Sequence, residues 1–263
     1  MNRRVLFVSH GGGPLPLLGE ETHLEMVTCL NAIAAKLATP SAILVISAHW
    51  EEPVLSITSA AHPPLIYDYY GFPQEAYEIQ YPCSGHPQLA QKIHARLSES
   101  GIHARLDEQR GFDHGLFVPL KIMFPDASIP CVQLSLLNNL NAREHLAIGE
   151  ALSELDFDNL LVLGSGFSFH NLKHFFLPHT PEVVNKNHAF EDWLVDTCSR
   201  ATLDERERRL RLLEWEKAPF ARFCHPREEH LLPMHVCYGI TQRQCTEHVQ
   251  LTVLNKAASM YLW

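Results

Sequence analysis

Short apolar runs rich in β-branched residues alternate along this chain with longer stretches whose apolar positions recur at helical spacing. Val5–Ser9 (VLFVS) and Ala42–Ser47 (AILVIS) predict the first two strands, and Val54–Thr58, Ile129–Leu136, Leu160–Leu163 and Val249–Leu254 predict four more. Between the first two, Glu20–Leu37 carries Leu24, Val27, Leu30, Ile33 and Leu37 at the spacing of one helix face. Gln88–Leu97, Ala142–Leu155, Val183–Cys198 and Arg227–Tyr238 read as further helices. Strands alternating with helices predict an α/β fold, a central mostly parallel or mixed sheet with helices on both faces. There is no internal repeat, low-complexity tract or Gly/Ser linker, so residues 1–263 are expected to form one domain. Tyr67–Gly85 reads as a loop rich in aromatic residues, proline and glycine, suited to wall a pocket.

Composition narrows the function classes. With 46% hydrophobic and 19% charged residues the chain has the means to bury a core and lacks the profile of a disordered protein. Its net charge of −9 argues against general nucleic-acid binding, which rests on neutralising phosphates with Lys and Arg. No apolar run approaches the roughly 20 residues of a membrane span. The start, MNRRVLFVSHGGG, has too short an apolar stretch for a secretory signal. The seven cysteines are odd in number, scattered and without a CxxC pair, which fits reduced thiols in a cytoplasmic protein. Nothing in the composition speaks to oligomeric state.

The 17 histidines matter by where they fall. His10 directly follows the first predicted strand and precedes Gly11-Gly12-Gly13-Pro14; His49 directly follows the second; His170 comes soon after the strand that ends near Gly164. Ligands of open α/β sheets bind beyond the carboxyl ends of the strands, so three strands would deliver an imidazole to that rim. His114, in Gly111-Phe112-Asp113-His114-Gly115, and His230, at the start of a predicted helix, complete the candidates. Imidazole suits Zn, Fe, Cu and Ni, and a metal held by few protein groups keeps positions open for substrate. Each of these histidines taken alone is as readily a hydrogen-bonded polar residue. His23 reads as solvent-facing at a helix start, and Asp204–Glu216 as a solvated helix face. Gly11–Gly13 lacks the lysine of a P-loop, and Gly164-Ser165-Gly166 lacks the spacing of a serine nucleophile elbow.

Five motifs stand in order: HGGGP at 10–14, SAHW at 47–50, GFDHG at 111–115, the 164–171 segment ending in HN, and EHLLP at 229–233. With PPLIYDYYGFPQEAYEIQYP at 63–82, they resemble the LigB-type (class III) extradiol ring-cleaving dioxygenases, and most of all the 4,5-DOPA dioxygenase branch. The resemblance runs from residue 5 to about 254. It implies metal ligation by His10, His49 and a third residue at the Glu229-His230 pair, here assigned to His230 with Glu229 as the alternative. It implies that His170 is the active-site base, able also to touch a zinc ion, and that His114 sits near the substrate oxygens. The implied cofactor is Fe(II), with Zn(II) able to occupy the site in purified protein. The implied reaction inserts both atoms of O2 beside the diol of a catechol, DOPA or a related catecholic acid. Two other readings use the same histidines: a zinc hydrolase activating water, and a non-catalytic metal-binding interaction protein.

Overall fold

The computed structural model describes residues 3–175, 177 and 179–263. Along the chain run β1 (Arg3–Ser9), α1 (Leu24–Lys36), β2 (Ala42–Glu52), β3 (Leu55–Thr58), α2 (Pro87–Glu99), β4 (Ala104–Asp107), α3 (His114–Met123), β5 (Cys131–Leu137) and α4 (Ala142–Leu152). There follow β6 (Leu160–Gly166), α5 (Leu172–Phe175), α6 (Pro181–Ser199), α7 (Glu205–Leu213), α8 (Ala221–Cys224), α9 (Leu232–Thr241), β7 (Glu247–Val253) and β8 (Lys256–Leu262). The strands form one eight-stranded mixed sheet in the order β4-β3-β5-β2-β6-β1-β8-β7. At its centre β5, β2, β6 and β1 are mutually parallel, while β8 joins β1 antiparallel.

A strand covered on both faces carries no alternation of polar and apolar residues, and Ala42–Ile46 is accordingly buried at every position. One face packs under α1 and α3, where Met26, Leu30 and Ile33 meet Val8, Val45, Leu116 and Phe117. The other packs under α2, α4, α6 and α9, with Leu89, Ile93, Leu146, Phe190 and Val236. The buried stripe of α1 is offset from the expected one: Leu24, the first residue of the helix, stays 55% exposed. Asp204–Glu216 is less solvated than its charge suggests. Arg208 is buried in α7 and donates to the carbonyls of Arg200 (2.9 Å) and Leu203 (3.1 Å) and to Glu205 (3.0 Å).

Two features prepare the site. The segment between β3 and α2 is pinned by isolated parallel bridges, Leu65 with Phe112 and Gly85 with Cys131. Its aromatic residues pack on α3, with the Tyr67 and Phe117 ring centres 6.0 Å apart. The β7–β8 hairpin turns on two left-handed residues, Leu254 (φ 50°) and Asn255 (φ 60°), as a tight two-residue turn requires.

Glu191 of α6 lies buried against β8, accepting from Ser259 Oγ at 2.6 Å through Oε2, while Oε1 has no partner. Burial lifts its carboxyl from the ordinary 4.5 to about 7, against the pull of its hydrogen bonds from Ser168 and Ser259. The folded state then holds this proton more tightly than the unfolded chain does. Its contribution to stability is full below the unfolded value and is lost as pH rises through about 7. The loss amounts to about 3 kcal/mol. Thermal melts at acidic and mildly alkaline pH should show Glu191→Gln losing less stability with rising pH than the parent chain. Equal slopes would mean that Glu191 titrates normally.

Candidate metal centre and active site

Histidines far apart in sequence meet at the carboxyl-end edge of the sheet, around β1, β2 and β6, three neighbours at its centre. His10 is the first residue past β1, held by its backbone N–H on the Gly166 carbonyl at 2.9 Å. His49 does not follow β2 but lies inside it: the strand continues to Glu52 across a register shift against β5 between Ile46 and Glu51. His230 sits in the turn before α9, its carbonyl accepting from Phe167 N at 3.0 Å. That approach requires Gly166, because a Cβ there would stand 2.1 Å from the His230 oxygen. His170 follows β6 on a loop tied to Cys224 O at 3.0 Å, and His114 opens α3.

His10, His49 and His230 bring one ring nitrogen each within 4.8 Å of one another. The Ser165 hydroxyl donates to Gly115 O, so the 3.0 Å contact of His10 Nδ1 with Ser165 Oγ is a donation from the imidazole. A neutral His10 therefore turns its lone pair, at Nε2, toward His49 Nε2 3.0 Å away. His230 Nδ1 is likewise occupied by Glu229 Oε1 at 2.9 Å. Burial first, then repulsion from neighbouring imidazoles, holds all three rings well below the ordinary histidine value of 6.5. Three neutral imidazoles with lone pairs converging in a buried place form a donor set for a divalent ion of the zinc or iron type. Nitrogens at about 2.1 Å from one ion lie roughly 3 Å apart when they subtend a right angle, which is the His10–His49 spacing.

Around this set stand two carboxylate–histidine pairs. Glu229 Oε1 receives His170 Nδ1 at 2.9 Å as well as His230 Nδ1, and the rings of His170 and His230 stack with centres 3.4 Å apart. Burial opposes ionisation of Glu229, but the hydrogen bond and charge of His170, with Arg227, hold its carboxyl below the ordinary value. Asp68 Oδ1 receives both the backbone N–H (3.0 Å) and Nδ1 (2.8 Å) of His114. Its carboxyl too stays low, burial being outweighed by these bonds. His114 lies against His49 with the rings tilted by 42° and their centres 3.8 Å apart. Tyr69 packs on the edge of His114 at 5.6 Å, whereas Tyr70 beside it is 92% exposed. Trp50 is buried, with the Arg110 guanidinium 4.7 Å over its ring.

His23, like His49, is placed differently from its sequence reading. His23 is buried, not solvent-facing: its Nε2 accepts the Gly12 N–H at 3.0 Å and braces the loop after His10. Gly11, at φ +84°, packs against it where a Cβ would come within 2.6 Å of the ring. Asp68, Ser165 and Arg227 are neighbours of the candidate site that the sequence reading did not single out. Asp68 stands in the aromatic segment at 63–82, the one signal that could have drawn attention to it.

Comparison with known proteins gives a consistent answer. The model of a family described as the catalytic LigB subunit of aromatic ring-opening dioxygenase matches residues 8–259. The dioxygenase tasH of Hapsidospora irregularis is 36% identical over 260 residues, covering 91% of this chain and 78% of that protein. The 4,5-DOPA dioxygenase extradiol of Beta vulgaris is 34% identical, covering 90% of this chain and 86% of that one. A crystal structure of an uncharacterized protein from Escherichia coli K12 superposes with a TM-score of 0.77 at 25% identity, covering 99% of both chains. No helix among the described residues is long and apolar enough to cross a membrane.

Proposed function

Because this chain belongs to the LigB family of aromatic ring-opening dioxygenases, we propose that it cleaves a catechol, DOPA or a related catecholic acid, at an Fe(II) centre held by His10, His49 and His230. It is an extradiol ring-opening enzyme of a metal-dependent family, which sets aside the hydrolase and interaction-protein readings. The observation that carries the proposal is the convergence of three neutral imidazoles on one point, beside two further histidines each oriented by a carboxylate. His10, His49 and His230 would hold the Fe(II), which when bound would supply the one-electron chemistry that O2, a ground-state triplet, needs to react with a closed-shell ring. Zn(II) suits the same nitrogens and would compete for them in purified protein.

The protein groups divide the remaining work. Glu229 holds His170 by Nδ1, which leaves Nε2 to take a proton from a catechol hydroxyl and return it later. As the imidazole gains that proton, the carboxylate stabilises the cation. His230 shares the same oxygen, so Glu229 serves this assembly as an orienting group for ligand and base together, with His230 as the third ligand. His114, fixed by Asp68 at both its backbone and its ring, offers Nε2 to the substrate oxygens as they gain charge. Tyr69 and the segment around it wall the ring site and limit water. The catalytic unit is taken as the single domain 1–263, and its free cysteines fit a cytoplasmic setting.

The test is oxygen uptake by protein loaded anaerobically with Fe(II), over DOPA, caffeate, protocatechuate and unsubstituted catechol. Stoichiometric O2 consumption with a yellow ring-opened product is expected from at least one of them. A fully loaded centre that consumes no O2 with any catechol would refute the proposed substrate class.

A further inference from the structure

Two cations next to the site residues are already neutralised. Arg227 is shared between Glu51 and Glu229, and Arg110 is paired with Asp113 at 3.1 Å. Lys256 differs. Its side chain is buried, and its ammonium meets only a neutral acceptor, His179 Nε2 at 3.0 Å; no carboxylate pairs with it among the described residues. An ammonium withdrawn from water without a counter-ion is costly. The surroundings add to the cost. His179 immediately precedes Thr180, which caps the 19-residue helix α6, so the ammonium lies close to the positive end of that helix. Glu182, the acid of the first turn, is engaged by Lys186 at 2.6 Å. Lys173 and Lys186 also act on His174 together with Lys256.

The residues on either side of Lys256 fix its place beside the loop that follows His10. Lys256 opens β8 directly after the tight turn at Leu254-Asn255, and the side chain of Leu254 lies against Gly12 in the loop that follows His10. Asn187 of α6 grips the next residue, donating to Ala257 O at 3.0 Å and accepting from Ala257 N at 2.8 Å. On the other side, the ammonium reaches His179, on the segment that continues from His170 through α5. A buried ammonium whose partner is a neutral imidazole gains more from a carboxylate, because the ion pair offsets the cost of its burial.

We propose that Lys256 is an anion subsite of the catalytic pocket, taking the carboxylate of a catecholic acid in place of the exposed His179 imidazole. The proposal rests on the ring-cleavage reading above and deepens it: the enzyme recognises acids, and recognises them at the start of β8. Burial and the neighbouring ammonium both lower the basicity of His179, which keeps it the neutral cap that an anion can replace.

The experiment compares hydrocaffeate with its methyl ester in oxygen uptake, for the parent chain, Lys256→Met and Lys256→Arg. A charge-assisted hydrogen bond is worth roughly 10–100-fold in recognition. The acid-to-ester ratio of kcat/KM should fall by that order in Lys256→Met, chiefly through KM, and recover in part in Lys256→Arg. Hydrocinnamate, which has the carboxylate but no diol to chelate a metal, is titrated calorimetrically in parallel. Its Kd should rise by a similar factor in Lys256→Met. An acid-to-ester ratio that is the same in Lys256→Met overturns the subsite. So does hydrocinnamate binding no tighter to the parent chain than to that variant. Should neither these two nor any catechol of the wider panel be cleaved while hydrocinnamate binding still depends on Lys256, the ring-cleavage reading falls and the anion subsite stands. Thermal melts of both variants separate loss of recognition from loss of fold.

Discussion

Replacing His170 with alanine is expected to lower ring cleavage by about 10²–10⁴-fold while the protein still takes up its metal. The ring of His170 is held from two directions, by Glu229 at Nδ1 and by stacking on His230, so its free nitrogen has a defined direction. His10, His49 and His230 turn their lone pairs to one another, which leaves His114 as the other imidazole at the site among the described residues. Oxygen uptake and metal analysis on the same preparation check both halves of the expectation. A variant that turns over at the parent rate would pass the role of base to His114. A variant that loses metal with activity would make His170 a ligand.

His10→Ala is expected to abolish activity by emptying the centre. Removing an outer partner of a ligand typically weakens metal binding about 10–100-fold, and deleting the ligand itself should exceed that. Ser165→Ala provides the graded comparison, since Ser165 Oγ is what fixes the His10 tautomer at 3.0 Å. Competition against a chelator at constant pH measures both. Parent-like affinity in His10→Ala would remove His10 from the ligand set and undo the proposed centre.

Much of this arrangement was legible in the sequence, and the gaps have physical causes. The runs at Val5–Ser9 and Ala42–Ser47 announce strands because fully buried parallel strands are continuously apolar. The same burial hides α3: each of its residues but Lys121 is buried, and Pro119 lies within it, so no amphipathic period appears. β8 reads KAASMYL, with no β-branched residue to mark it. Pattern stopped β2 at Ser47, since His49, Trp50, Glu51 and Glu52 look like a loop, yet the chain stays extended through them. The candidate histidines stood out because each adjoins a strand end, a glycine or a helix start. Their partners did not, for Asp68 lies 46 residues from His114 and Ser165 lies 155 from His10. His23 is the clearest case: only the fold reveals that the Gly12 N–H needs an acceptor there.

The aromatic segment between β3 and α2 is fastened at two points, Leu65 to Phe112 and Gly85 to Cys131, and between them it contributes side chains but no strand to the sheet. His10 and His49, by contrast, are set by the β1 and β2 backbones at the rigid middle. The molecule thus separates ligands carried by the sheet from a wall carried by a strapped loop. Apart from Asp68, which holds His114, residues between the two fasteners can be exchanged without changing the register of any strand. The range of rings admitted can change in this way while the metal chemistry beneath is kept.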